Sequence, residues 1–445
     1  MNLVYGIKDK PKFGQLIIFA FQQLLAIMAA TVAVPMIIGN GMQPSAALFG
    51  AGIGTIIYIL FTRAKSPVFL GSSFAFLGSM PAAFAGGVSM AKGYAGLIIG
   101  AIFAGLVYVI IALIVKFAGV KWVDKLMPKQ VIGPTVAIIG LSLAGNAIGD
   151  LQKGAYAVES VVTANPLIAI VCGLVTLLVT TICSVYGKKG IKLIPFIIGI
   201  VAGYIVAAIF TVIGIQTGND ALRIINFDLF KDMGALEIPD FTFLAAIGGF
   251  KEIDAAFIAS LAAAYIPVAF VVFAEHIADH KNISSIIGTD LLEEPGLHRT
   301  LLGDGVGSMV GAFFGGCPNT TYGESVACVA ITRNASVATI VATAILAMLI
   351  SFVSPFVTFL NSIPPCVMGG VCMALYGFIA VSGLKMVQKV DLEENRNLFV
   401  VSTILIAGIG GLVFDFGAIK ITSIATALIL GILMNIILSG KAKKA

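Results

Sequence analysis

The chain has 445 residues, of which 59% are hydrophobic and 11% charged, with a mean hydropathy of +1.06. Soluble domains carry roughly a quarter charged residues, so a water-soluble globular fold is excluded and an all-α polytopic membrane protein is expected. The net charge of +5 is spread over many short connections. No basic patch results, and no nucleic-acid partner is expected.

Crossing the hydrocarbon takes about 20 apolar residues in a helix. Fourteen segments meet or approach that length: 14–39, 46–62, 67–84, 95–118, 130–149, 164–184, 192–216, 254–284, 298–315, 317–332, 335–361, 364–384, 396–413 and 417–438. The first follows a short basic stretch, Lys8, Lys10 and Lys12, and is a full-length span, so no cleavable signal peptide is expected. If the N-terminus is cytoplasmic, 21 of the 27 Lys and Arg fall on the inner side. That bias follows the positive-inside rule and implies an even number of spans with both termini inside. The 50 glycines suit close helix approach in lipid. The six cysteines lie in or beside apolar segments without metal-ligand spacing and read as small packing residues.

The longest polar connection, 217–240, falls outside and at the midpoint, with five acids against two bases. Two halves of seven spans then run in opposite directions, the arrangement of inverted-repeat transporters. A trace of the repeat survives. Span five opens Pro128-Lys-Gln-Val-Ile-Gly133, and span twelve opens Pro364-Pro-Cys-Val-Met-Gly369. Span three carries a break at Phe69-Leu-Gly-Ser-Ser-Phe74, and its partner, span ten, carries one at Gly315-Gly-Cys-Pro-Asn-Thr-Thr-Tyr-Gly-Glu324. Non-helical backbone at membrane depth is tolerated only where it is buried in protein or lines a cavity. These paired breaks therefore mark the expected site, with a half-helix from Gly323 aiming free N–H groups into it beside Glu324.

Ionisable groups inside a bilayer are costly and usually line a pathway. Glu275, Asp279, His276 and His280 occupy the end of span eight, the two acids on one helical face and the two histidines on the neighbouring one. Glu275 and Glu324 are the leading candidates. Asp279 and His280 read equally well as interfacial residues where the span leaves the membrane. Asp304 is a buried-looking acid between two glycines, able to orient the central helices. Asn319 and Thr320 suit either substrate hydrogen bonds or capping of the broken helix, and Tyr322 and Tyr376 either packing or a binding wall. The His276-x-x-x-His280 pair lacks a third ligand, so no metal and no cofactor are expected. No phosphate-binding loop with Lys-Ser/Thr occurs, which leaves an ion gradient as the energy source, or none.

Several stretches resemble the nucleobase-ascorbate transporter (nucleobase:cation symporter) family, and within it the bacterial uracil permeases: Gln22 to Pro35, Leu70-Gly-Ser-Ser-Phe74, Ala274-Glu-His-Ile277, Pro295-Gly-Leu-His-Arg299 and Pro318-Asn-Thr-Thr-Tyr-Gly-Glu324. The resemblance implies 14 transmembrane segments in two inverted 7-span repeats with short broken strands in spans 3 and 10. It also implies a core domain of 1–118 and 244–361, a gate domain of 119–216 and 362–445, and an external connection of 217–243. By residue-wise carry-over, Glu275 and Glu324 hold the uracil ring, the backbone near Phe74 and Gly323 meets its carbonyls, and Tyr322 and Tyr376 face the site or gate. Glu275, Asp279 and His280 are the proton-coupling candidates, with Asp279 where relatives often have histidine and Gln22-Gln23 where they have Gln-His. The implied protein is a proton symporter importing uracil across the bacterial cytoplasmic membrane by alternating access, dimeric through its gate domains and bounded by membrane lipid. A xanthine or purine carrier is the alternative, and an anion exchanger or channel of related fold the more distant one.

Overall fold

The computed structural model describes residues 3–119, 121–158, 161–188, 190–231, 233–416 and 420–439. Lys189, Lys441, Lys443 and Lys444 of the charge count, Asp232 of the midpoint connection and the first residues of the expected last span lie outside these ranges. The first half runs α1 (Phe13–Ile38), α2 (Pro44–Phe61), β1 (Leu70–Ser72), two short 3-10 turns (Phe74–Gly78 and Met80–Phe84), α3 (Met90–Ala118), α4 (Lys121–Leu126), α5 (Lys129–Ser142), α6 (Ala144–Leu151), the hairpin β2 (Ala157–Val158) and β3 (Val161–Val162), α7 (Pro166–Tyr186) and α8 (Pro195–Thr217). The second runs α9 (Thr242–Ala246), α10 (Ala255–Ile287), α11 (Leu297–Gly315), β4 (Asn319–Thr321), α12 (Gly323–Thr332), α13 (Val337–Ile350), α14 (Ser354–Ser362), α15 (Pro365–Val387), α16 (Asn395–Ile409), the hairpin β5 (Phe414–Asp415) and β6 (Lys420–Ile421), and α17 (Ser423–Ser439).

Among the described residues, eight helices are long and apolar enough to cross a membrane, and the chain is a multi-pass membrane protein. Their ends follow local chemistry. Asp254 caps α10 by accepting from the Phe257 N–H at 2.8 Å, and Gly288, at φ 73°, closes it in the left-handed conformation. The expected single span 335–361 is instead two helices broken at 351–353. Pro355 has no N–H to return to the Ser351 carbonyl, and the segment 235–237 pairs with the chain at the break: Glu237 N donates to Phe352 O at 2.9 Å and Ser354 N to Ala235 O at 3.2 Å. Helix α10 also continues to Ile287, so Asp279 and His280 stand two turns inside its end rather than at it.

The helices form two groups. In one, α2 packs on α11 and α13, α3 on α10 and α11, and α1 on α13; in the other, α15 packs on α5, α6 and α7, α7 on α8, and α16 on α5 and α17. One close seam is α2 against α11. A Cβ at Gly50 would stand 2.4 Å from the Gly311 carbonyl oxygen, and one at Gly54 2.7 Å from that of Gly307. Backbones this close need small residues on both sides. Overpacking such a seam costs about 1–3 kcal/mol or more, so Gly50→Val should lower the melting temperature of the detergent-solubilised protein by several degrees. A melt unchanged from wild type would show that the seam has slack.

Candidate functional site

The two broken segments meet at mid-chain depth. β1 and β4 pair antiparallel, with Leu70 opposite Thr321, Gly71 opposite Thr320 and Ser72 opposite Asn319. The ladder is extended by Tyr322 N donating to Phe69 O at 3.2 Å and Ser73 N to Pro318 O at 2.9 Å. The outer edges are served by side chains. Thr55 Oγ1 accepts from Leu70 N at 2.9 Å, and Ser325 Oγ accepts from Phe69 N at 3.1 Å. Gly71 is required where it stands: a Cβ there would lie 2.3 Å from the Tyr322 ring, whose hydroxyl donates to Ser72 O at 2.8 Å. Tyr322 therefore braces the two strands against each other.

A short helix leaves each strand, one from Phe74 and one from Gly323. The first N–H groups of each have no partner within their own helix, and both Phe74 and Gly323 line a cavity of about 370 Å³. Small-molecule sites begin at roughly this size. The same cavity gathers Glu275 and Asp279 from α10, Thr320 to Glu324 from the second break, and Phe196, Leu375 and Phe378 from the other helix group. Asp279 is no surface residue: its Oδ2 accepts from Thr321 Oγ1 at 2.9 Å, and a Cβ at Gly323 would lie 3.9 Å from its Oδ1. Three carboxyls thus face two sets of amide donors. The arrangement suits a neutral, flat ligand that presents both N–H and C=O groups at its edge.

Two expected site residues stand away from the lining. Tyr376 is buried and packs edge-on against Phe74, with ring centroids 6.0 Å apart. His280 points to the far side of α10, where its Nδ1 donates to His276 O at 2.8 Å and its Nε2 meets Tyr58 Oη at 2.6 Å. Beside it, His276 contacts Asp304 through Nδ1 at 2.7 Å and Thr300 through Nε2 at 2.9 Å. Every ring nitrogen of the pair is thereby already engaged. Asp304 is fully buried on α11 and bonded to this histidine rather than to the cavity.

Sequence reasoning missed the tie made by Gln23. Its Nε2 donates to Ser325 Oγ at 2.6 Å, joining α1 to the first turn of α12 and, through that same oxygen, to the Phe69 amide. The available signal was a glutamine in the middle of an apolar span. Removing the shared oxygen orphans the buried Phe69 N–H, at about 1–3 kcal/mol, and leaves Gln23 Nε2 only its 3.4 Å bond to Ser325 O. Ser325→Ala should therefore lower the melting temperature clearly, whereas Ser325→Thr should retain most of it, as differential scanning would read.

Comparison with known proteins agrees with this architecture. Over 97% of its length the chain superposes on the transmembrane domain of the cyanobacterial bicarbonate transporter BicA (TM-score 0.64, 16% identity, all of that chain covered). It also superposes on murine Slc26a9, an anion transporter in the inward-facing state (TM-score 0.68, 10% identity, 69% of that chain). The fold is thus that of a membrane transporter. The profile described as "Permease family" matches residues 14–415, and the chain belongs to that family: it is a transporter and not an enzyme. Among similar relatives are the uracil permeases of Bacillus caldolyticus (39% identity, covering 99% of this chain and 96% of that one), Bacillus subtilis strain 168 (36%, 97% and 94%) and Escherichia coli K12 (35%, 97% and 93%).

Proposed function

We propose that this protein is a proton-coupled symporter that imports uracil across the bacterial cytoplasmic membrane by alternating access, with Glu275, Glu324 and the Phe74 and Gly323 amides as its substrate contacts. The observation that carries the reading is one cavity wall on which carboxyl acceptors and the first residues of two short helices converge. Uracil is neutral and planar, with N–H donors flanked by carbonyl acceptors. A largely dry pocket must match each of these groups, because an unpaired polar edge is costly to bury. Relatives named uracil permeases, similar over nearly the whole chain, support the same substrate. An anionic cargo of the kind named for the structural neighbours is disfavoured by a lining that holds Glu275, Asp279 and Glu324.

The architecture we assign is 14 spans in two inverted 7-span repeats, with a core domain of 1–118 and 244–361 and a gate domain of 119–216 and 362–445. The two helix groups described above support this division. So does a correspondence at the start of each half. The segment before α1 is tied to the turn before α13, with Ala335 N donating to Tyr5 O at 2.9 Å. The segment before α10 presses on the start of α3, where a Cβ at Gly249 would lie 2.0 Å from Ala91 O. From Phe74 and Gly323 the cavity extends to Lys192, Ile331 and Met386, which the charge layout puts on the cytoplasmic side, so we read the conformation as inward-facing. Both termini are then cytoplasmic, lipid surrounds the spans, and a dimer would form through the gate domains.

Glu275→Gln and Glu324→Gln each replace an acceptor-only group by one that also presents an NH2 donor to the ring N–H. Each should weaken uracil binding by at least about tenfold, a loss of roughly 1.4 kcal/mol, read as loss of uracil-dependent thermal stabilisation. Normal stabilisation in both variants would sink the site assignment. Asp279→Asn keeps the size of the side chain and removes one of two acids on a helical face, which can share a proton. It should bind uracil within about threefold of wild type while shifting the pH dependence of uptake. A pH profile superimposable on wild type would remove Asp279 from the coupling machinery.

A further inference from the structure

Immediately behind the cavity, on the next face of α10, lies a closed polar cluster: His276, Asp304, Thr300, His280, Tyr58 and Ser66. Its bonds fix where most of the protons are. His280 Nδ1 faces the His276 carbonyl and must donate, so in the neutral ring Nε2 accepts from Tyr58, and Tyr58 Oη in turn accepts from Ser66 Oγ, 2.7 Å away. That branch is closed and satisfied.

The His276 branch is different, because it can be completed in two ways. The 2.7 Å contact between His276 Nδ1 and Asp304 Oδ2 holds one proton in either case. At the other nitrogen stands Thr300 Oγ1, 2.9 Å from Nε2 and also 3.0 Å from Leu297 O. When the hydroxyl donates to Leu297 O, it accepts from a protonated Nε2, and the His276–Asp304 pair is neutral overall. When the hydroxyl turns to donate to Nε2, that nitrogen is bare and the pair carries one negative charge. Leu297 O loses nothing essential in the second state, since it still accepts from the helix backbone four residues on. The pair therefore gains and loses one proton without leaving a ring nitrogen unpaired.

Further unpartnered polar groups stand near the pair and in the cavity wall. Asp304 Oδ1, Tyr108 Oη and Thr320 Oγ1 are all buried without a hydrogen-bond partner among the described residues. Thr320 lines the cavity. The Tyr108 ring lies 6.3 Å from that of His276. Three orphaned polar atoms on neighbouring side chains are unusual in a native interior. One belongs to the cavity lining, one to a ring packed on His276, and one to the acid that His276 contacts.

We propose that His276 and Asp304, switched by Thr300 and reached through Thr320 and Tyr108, form a one-proton site separate from the substrate carboxyls, and that this site carries the coupled proton. The inference rests on the proton-symport reading above. The titratable and charged groups around the site are Glu275, Asp279 and His280 on α10, Tyr58 on α2, Tyr108 on α3 and Glu324 on α12. Arg299, one turn earlier on α11, is directed at Phe61 O instead. Apart from the two imidazoles, no cation faces the pair among these, so the charge of the pair is coupled mainly to the three cavity carboxyls. Loss of its proton adds a negative charge behind them, which ties the protonation state to the field felt at the substrate site.

The test uses the full-length protein in proteoliposomes. Uracil accumulation driven by an imposed pH gradient is compared with uracil counterflow, which needs binding and translocation but no net proton movement. Thr300→Val removes the switch while keeping both titratable groups. It should cut pH-driven accumulation by at least about tenfold yet leave counterflow and uracil-dependent thermal stabilisation within about threefold of wild type. Thr300→Ser should restore accumulation, a rescue that a purely packing role for the methyl group would not give. Asp304→Asn should show the same separation with no rescue. If both Thr300→Val and Asp304→Asn accumulate uracil as wild type does, or if both lose counterflow together with accumulation, the assignment is overturned. If wild type itself exchanges uracil but never accumulates it under a pH gradient, the symport reading fails instead and takes this inference with it.

Discussion

The constraint on which the site depends is the backbone of two helices that stop halfway. Unsatisfied N–H and C=O groups cost several kcal/mol each in a medium without water, so neither broken segment is tenable alone. Each satisfies the other through the β1–β4 ladder. What remains exposed is confined to the first turns of the two helices that leave the ladder, and these bound the cavity. The donors available to a ligand are therefore those of the two first turns, which the ladder does not reach. This explains why so short a sheet is held so firmly: Thr55, Ser325 and Tyr322 each put a side-chain bond onto its backbone.

Much of the helix placement was legible in the sequence because hydrophobic length is a strong, one-dimensional signal. The expected segments match helices within a few residues, from α1 at 13–38 to α15 at 365–387. The exceptions have causes that lie outside any one stretch of chain. The break at 351–353 depends on a pairing with 235–237, more than a hundred residues away, and no window of sequence reports such a contact. Likewise, the paired interruptions near 71 and 320 were visible as polar, Gly-bearing gaps, but their register was not, since three-residue strands carry no alternation to read.

The site was legible in the same uneven way. Acids in apolar helices announce themselves, and Glu275 and Glu324 do line one cavity. Position along the helix was misjudged for Asp279 and His280, which the sequence allowed as interfacial residues, because nothing in the run from Glu275 to Lys281 shows that α10 continues, still packed, to Ile287. Facing was harder still. Helical periodicity separates residues 275 and 279 from 276 and 280, yet only the neighbours show that the first face looks into the cavity and the second into α2 and α11. Tyr376 and Tyr322 illustrate a related limit: an aromatic in a span can be wall, prop or brace, and the choice is made by a partner such as Phe74 or Gly71.

Placing two titratable sets on adjacent faces of one helix has a mechanical consequence. Successive residues on an α-helix are rotated by 100°, so Glu275 and His276 are rigidly linked yet look in different directions. Any tilt or rotation of α10 that improves the fit of one carboxyl on a ligand must also change the Nδ1 to Oδ2 distance to Asp304, now 2.7 Å. Hydrogen bonds weaken steeply with stretch and misalignment, whereas the packed α2–α11 seam, with backbones held apart only by glycines, cannot follow such a movement. Asp304 and Tyr58 are thus anchored to the rigid side, and the two histidines to the helix that meets the cavity. The coupling proposed above needs no long pathway, because the carboxyls that line the cavity and the two imidazoles stand on the same six-residue stretch of α10, 275–280.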